Sequence, residues 1–208
     1  MASEKDPQIR VVGICGSLRH GSYTRMAVKI ALSGAESVGA ETELIDLREY
    51  QLMFCGEVQD EVDYPPDVSK LCTKVQQAQG IILGTPEYHG SFSGVLKNAI
   101  DLMGLDEFGS KVIGLVGVSG GRMGALNALS ALRTVGRQLH TWVVPSQASV
   151  PQASKAFDDD GNLLDTELEE RIVEVGREVA RFAYLHNSQK VQQFLRLWEA
   201  APHNPGGE

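Results

Sequence analysis

The sequence predicts an α/β fold in which a five-stranded parallel sheet of order 2-1-3-4-5 carries helices on both faces. Two observations lead there. Short β-type runs alternate with amphipathic stretches along most of the chain, the pattern of a parallel sheet whose strands are joined by helices. In addition, Ile81-Ile82-Leu83 and Val112 to Val118 are almost continuously apolar, as strands covered on both sides must be. A chain of 208 residues, 42% hydrophobic and 22% charged, can bury a core without disulfides or a structural metal.

The elements follow in order. Strands are predicted over residues 10–15, 41–47, 80–85, 112–119 and 141–144. A helix over 24–38 places Met26, Ala27, Ile30, Ala31 and Ala35 on one stripe, with Gly39 as its stop. Pro65-Pro66-Asp67 introduces a second stripe of Val68, Leu71, Cys72, Val75 and Ala78. Helices over 95–103 and 125–139 come next. The last opens at the capping-box signature Thr166 to Glu169 and runs through Ile172, Val175, Val179 and Phe182. Segments 48–64 and 146–164 carry no periodicity and are expected to be loops. Residues 1–9 are expected to be a flexible lead, 10–198 one domain, and 199–208 a disordered tail.

The totals narrow the function. A formal charge of −8 opposes capture of a polyanion, so nucleic acid is not expected as a partner. Cys15, Cys55 and Cys72 show no CxxC spacing, which argues against a disulfide framework or a zinc site and fits a reducing compartment. Scattered histidines without an i, i+4 pair point to no metal centre. No signal-type segment and no bilayer-length apolar run is present, so the expectation is a soluble cytoplasmic protein without a membrane partner.

Three strand-to-helix junctions carry chemistry. The first, Gly16-Ser17-Leu18-Arg19-His20-Gly21-Ser22-Tyr23-Thr24, feeds the first helix with unpaired N–H groups and the positive end of its dipole. Ser17, Ser22 and Thr24 add hydroxyl donors, and Arg19 adds a full charge. The GxxxxG spacing lacks the lysine of a triphosphate loop, since Ser22 stands in that place, so a monophosphate is favoured. A plain capped turn is the competing interpretation.

The second junction, Thr85-Pro86-Glu87-Tyr88-His89-Gly90, brings aromatic rings to the same sheet edge and suits a flat heteroaromatic group. In order 2-1-3-4-5 these two loops open into one crevice, which together describes a mononucleotide. The third, Gly117-Val118-Ser119-Gly120-Gly121-Arg122, lets backbone approach the polar edge of such a ring. It also reads as G-x-S-x-G, the nucleophile elbow of a hydrolase, with an aspartate among 158–165 and His186 as the later partners. Against that, His186 falls within a regular amphipathic helix, and no oxyanion segment appears.

The joint occurrence of G-S-L-R-x-G-S-x-T, P-E-Y-H-G and the later S-G-G, over about residues 10–182, resembles the NADPH-dependent FMN reductase family of the flavodoxin-like superfamily. Tyr88 is similar to the quinone, azo-dye and chromate reductases, whereas His89 with Gly90 and the stretch 145–161 are similar to the arsenic-resistance flavoproteins. The resemblance implies a flavodoxin-like three-layer sandwich with non-covalent FMN. It implies that Ser17, Arg19, Ser22, Tyr23 and Thr24 hold the phosphate. It places Pro86, Glu87, Tyr88, His89 and Gly90 along the ring, and Ser119, Gly120 and Gly121 near its other polar edge. It further implies NADPH as co-substrate, a small acceptor such as a quinone, free flavin, azo dye, ferric chelate or chromate, and a homodimer or homotetramer. Arg122 is a candidate for the 2′-phosphate of NADPH on charge and position alone. The cofactor carries the chemistry, so no catalytic side chain is expected. A flavodoxin-type electron carrier is the alternative within the same fold.

Overall fold

The structure, a computed structural model, describes residues 7–58 and 64–201. The expected lead and tail therefore lie largely outside the described residues.

The strands are β1 (Arg10–Cys15), β2 (Glu41–Asp46), β3 (Gly80–Tyr88), β4 (Ser91–Phe92), β5 (Val112–Val118) and β6 (Trp142–Val150). The helices are α1 (Tyr23–Glu36), α2 (Pro66–Gln76), α3 (Gly94–Asp101), α4 (Leu105–Phe108), α5 (Leu126–Gln138), α6 (Ala153–Ala156), α7 (Thr166–Asn187) and α8 (Gln189–Glu199). The parallel sheet has the order β2-β1-β3-β5-β6, with the two-residue β4 added antiparallel to β3. Setting that hairpin strand aside, the order is the predicted 2-1-3-4-5.

The sheet separates two cores. On one face, Ala27, Val28 and Ala31 of α1 pack with Ile172, Val175 and Val179 of α7. On the other, Leu71 and Val75 of α2, Leu96 and Ile100 of α3, and Leu129 and Leu132 of α5 cover Ile81, Leu83, Ile113 and Leu115. Every residue of β5 is buried, as its unbroken apolar run requires. The helix starts are chemically specified. Ser22 Oγ accepts the Arg25 N–H at 3.2 Å to cap α1, Ser93 Oγ accepts the Leu96 N–H at 3.1 Å to cap α3, and Pro66 opens α2. α7 is capped by Asp165, whose carboxylate accepts the N–H groups of Glu167 and Leu168, one residue earlier than the signature at Thr166 suggested.

Three departures have physical causes. The last parallel strand continues to Val150 instead of stopping at 144, because β6 is a sheet edge, where a proline is tolerated. A register shift against β5 lies between Ile113 and Leu115, and Arg133 of α5 clamps it, donating to Gln147 Oε1 at 2.7 Å, Val144 O at 3.0 Å and Pro145 O at 2.8 Å. Segment 146–164 is consequently strand, short helix and turn rather than a plain loop. The third strand continues through Tyr88, because Glu87 and Tyr88 pair with Phe92 and Ser91. His89 and Gly90 have φ of 52° and 77°. Two positive values at the centre of a two-residue reversal give the primed turn that matches sheet twist. Finally, α4, α6 and α8 were not foreseen, the first two being four residues long and the third lying beyond the last periodic stripe.

Candidate functional site

The loops after β1, β3 and β5 meet at the carboxyl ends of the strands, where the connection changes side between β1 and β3. They enclose a cleft of about 250 Å³. Its lining brings together Ser17, Arg19, Ser22, Tyr23, Thr24, Pro86, Glu87, Tyr88, Ser119 and Gly120. His89, Gly90 and Gly121 lie outside it, the first two at the exposed hairpin tip and the third one residue further along an exposed loop. Gly21 and Val118, which lie within the first and third motifs, complete the lining with Ala153 and Ser154, which no motif includes. Ala153 and Ser154 belong to α6, which reaches the cleft only because the Gln152 N–H donates to Gly121 O and the Ala153 N–H to Ser119 O, each at 3.0 Å.

The floor of the first loop is fastened from three sides. The Gly16 N–H donates to Gly84 O at 2.8 Å, and Ser93 Oγ donates to Gly16 O at 2.6 Å. Beneath the loop, Asp46 at the end of β2 is paired with Arg25 at 2.8 Å and Arg48 at 3.0 Å. Arg25 also donates to His20 O, and Arg48 contacts His20 Nδ1 at 3.3 Å. Burial by itself would raise the Asp46 carboxyl, but hydrogen bonds from Arg48 and Arg25 outweigh it and hold the group below the ordinary aspartate value. One carboxylate facing two guanidiniums leaves this floor net positive. Cys15 lies beneath the same loop, its thiol pushed up by burial.

The donor set suits an anion. Ser17, Ser22 and Thr24 are buried residues that still line the cleft, and Arg19 brings a cation to its edge. With Ser22 spent on the Arg25 N–H, the N–H groups of Tyr23 and Thr24 have no partner inside their own helix. A phosphomonoester fits this set, so the residues present fit the phosphate end of FMN. The Arg19 guanidinium reaches across from the first loop to within 5.8 Å of the centroid of the half-exposed Tyr88 ring. Tyr23 stacks on Phe157 at 5.4 Å, which anchors the start of α1 against the loop after α6.

The hydrolase geometry is not assembled. Ser119 Oγ accepts the Gly121 N–H at 3.0 Å. His186 meets Trp142 edge-on at 5.2 Å, at the opposite end of the nine-residue β6, roughly 25 Å from the Ser119 side. A larger groove of about 670 Å³, lined by Pro7, Ile9, Val38, Tyr184 and Leu185 among others, opens at the amino ends of the strands, away from all three loops.

Comparison with known proteins agrees with this geometry. A family model described as NADPH-dependent FMN reductase matches residues 9–155. The FMN-dependent NADPH-azoreductase of Staphylococcus aureus (strain USA300) is 36% identical over 163 residues, covering 76% of this chain and 86% of that protein. The NADPH-dependent FMN reductase ArsH of Shigella flexneri is 32% identical over 184 residues, covering 86% of this chain and 70% of that protein. Among solved structures, the flavoenzyme NAD(P)H:(acceptor) oxidoreductase FerB of Paracoccus denitrificans superposes with a TM-score of 0.68 at 23% identity, over 86% of this chain and 98% of its own. An archaeal flavodoxin superposes with a TM-score of 0.59 at 11% identity, over 84% and 99%. The two structures establish the flavodoxin-like fold, and the match over residues 9–155 establishes that this chain belongs to the NADPH-dependent FMN reductase family.

Proposed function

We propose that the chain holds FMN non-covalently in the cleft after β1, β3 and β5 and uses it to reduce a small acceptor with two electrons from NADPH. One observation carries this: buried hydroxyls, a helix N-terminus and a cation converge on one end of a cleft whose other end is walled by Pro86, Tyr88 and the Ser119-Gly120 backbone. FMN, when bound, supplies hydride acceptance from NADPH and its onward delivery. The protein supplies the rest. Ser17, Arg19 and Thr24, with the first N–H groups of α1, bind the phosphate. Pro86 and Tyr88 orient the ring, and Ser119 and Gly120 border its polar edge. Acceptor and NADPH would use the same open face in turn, an arrangement compatible with quinone, free flavin, azo dye, ferric chelate or chromate. The relatives named for azo-dye and flavin reduction favour these acceptor classes. His89 and Arg122, exposed on neighbouring loops, are within the region an incoming nucleotide would cross.

Purified protein loaded with FMN and freed of unbound flavin will stay yellow, and NADPH will bleach it. Arg19→Ala will weaken FMN binding by roughly 10- to 100-fold, the worth of one hydrogen bond to a charged group. Fluorescence titration of the apoprotein measures this, and unchanged affinity would remove Arg19 from the phosphate site. A carrier resembling flavodoxin would bind FMN equally well but oxidise NADPH negligibly with a quinone present.

A cleft of about 250 Å³ is smaller than the ~300–1,000 Å³ of sites that enclose a whole ligand. Leu18 on the loop after β1, Tyr88 at the end of β3, Met123 on the loop after β5 and Leu126 at the start of α5 are all exposed and offer apolar surface beside it. We infer that a second copy covers this edge, giving a homodimer or homotetramer in the cytoplasm. Sedimentation of the wild type should show a dimer or larger, and a Met123→Asp, Leu126→Asp variant should shift toward monomer with weaker FMN retention. A wild type that sediments as a monomer at micromolar concentration would refute it.

A further inference from the structure

α5 begins with an uncapped end. Its N-cap position is Ala125, whose side chain can accept nothing, and the helix follows the loop that carries the cleft residues Ser119 and Gly120. The missing acceptor comes from another element. Glu87, on β3 between the cleft residues Pro86 and Tyr88, accepts the Ala128 N–H through Oε2 at 3.0 Å and lies 3.4 Å from Asn127 Nδ2 through Oε1. Ala128 is the third residue of α5, the position a good N-cap side chain would satisfy. The carboxylate also faces the positive end of the helix.

This tie joins two walls of the cleft. On the Glu87 side stands the β3–β4 hairpin, with Tyr88 next in chain. On the α5 side is the 119–125 loop, which continues from β5 and is fastened to β6 and the start of α6: Ser119 N–H to Val150 O at 2.9 Å, Gln152 N–H to Gly121 O, Ala153 N–H to Ser119 O, and Ala125 N–H to Ser149 Oγ at 2.8 Å. The β3–β5 ladder already ties that assembly to β3 as far as Pro86 and Val118, and Glu87 adds a side-chain link one residue beyond it, from β3 to α5. Glu87 lines the cleft, and both its oxygens contact α5.

We propose that Glu87 is a positioning residue, which holds the Tyr88 wall in place against the loop of Ser119 and Gly120, just past the last rung of the β3–β5 ladder, by capping α5 from β3. This deepens the assignment of the cleft to a flavin ring and rests on it. Reach, not charge, is the property that matters. Glutamine keeps the length and an acceptor oxygen, whereas aspartate keeps the charge but is one methylene too short.

The test compares Glu87→Gln with Glu87→Asp in the full chain. Each is titrated with FMN, its bound-flavin absorption band is recorded, and NADPH oxidation is followed across pH at saturating FMN. Glu87→Asp is expected to weaken FMN about tenfold and to lose band structure, in line with a lost charged hydrogen bond. Glu87→Gln should recover to within about threefold of the wild type, with the shape of its pH profile unchanged. The reverse order, aspartate active and glutamine inactive with one limb of the pH profile gone, would make Glu87 an acid or base and overturn the proposal. FMN affinities and spectra equal to wild type in both variants would overturn it as well. In either case Arg19→Ala, still impaired in FMN binding, would leave the cleft assignment standing. If FMN binds but neither Arg19 nor Glu87 variants alter its affinity, the cleft assignment itself fails and the proposal with it. Melting temperatures of the apoproteins confirm that each variant folds.

Discussion

Gly176→Ala will lower stability by about 3 kcal/mol or more, the upper range for a forced overpacking. For a chain of this size that is a fall of roughly 6–12 °C in Tm. The cause is the crossing of α7 over α1. A Cβ at Gly176 would stand 1.7 Å from Ala31 O and 2.9 Å from Ala35 N, and one at Gly34 would stand 2.1 Å from Val173 O. The opposing atoms are main chain within helices, so no rotamer change relieves the clash and the helices must move apart. That movement would also open the packing of Ile172, Val175 and Val179 on Val11 and Ile82. Because α1 carries the first cleft loop at its N-terminus, FMN retention should fall alongside stability. Thermal unfolding followed by circular dichroism measures the effect, and a Tm within about 2 °C of the wild type would show that the crossing is looser than the structure has it.

Asp46→Asn should be nearly as costly and should act on two properties at once. Asp46 is 5% exposed and neutralises part of the charge of Arg25 and Arg48. Removing one partner of a buried ion pair typically costs 3–5 kcal/mol, and the arginines here are each about one-fifth exposed, so roughly 2–3 kcal/mol is expected. The amide also loosens Arg25, which holds His20 O, so FMN affinity should fall by about tenfold. The pH dependence has a definite sign. The folded carboxyl lies below its ordinary value, so its contribution is fully present above about pH 4 and disappears as pH falls through the lower folded value. Wild-type Tm should therefore drop more steeply than that of Asp46→Asn on acidification below about pH 4. Parallel slopes for the two proteins would show that the cluster does not couple to folding.

The strand pattern was legible because parallel strands buried on both faces are written as apolar runs, and β3 and β5 are the plainest of these. The first cleft loop was legible for a similar reason: Ser17, Arg19, Ser22 and Thr24 are polar residues crowded into a strand-to-helix junction, where few other uses exist for them. What failed to show is non-local. Pro145 looked like a strand end, and only the edge position of β6 and the grip of Arg133 let the strand continue past it. Ala153 and Ser154 have no motif, and they reach the cleft through backbone bonds to Ser119 and Gly121. Glu87 was readable as a residue near the ring, but its partner lies 41 positions away on α5, so its engagement could not be inferred from spacing. Asp46 closes the β2 strand as an ordinary-looking acidic residue, and its importance follows only from the two arginines that converge on it.

The reversal at His89-Gly90 constrains how this site can diverge. With only two residues between paired strands, adding or removing a single one would turn the neighbouring side chains to the opposite side of the ribbon. Because β3 is held by β5 as far as Pro86, the change would fall on Ser91 and Phe92, and through them on Ser93, which holds Gly16 O beneath the first loop. Change of substrate preference at this wall is thus confined to exchanging side chains at fixed loop length.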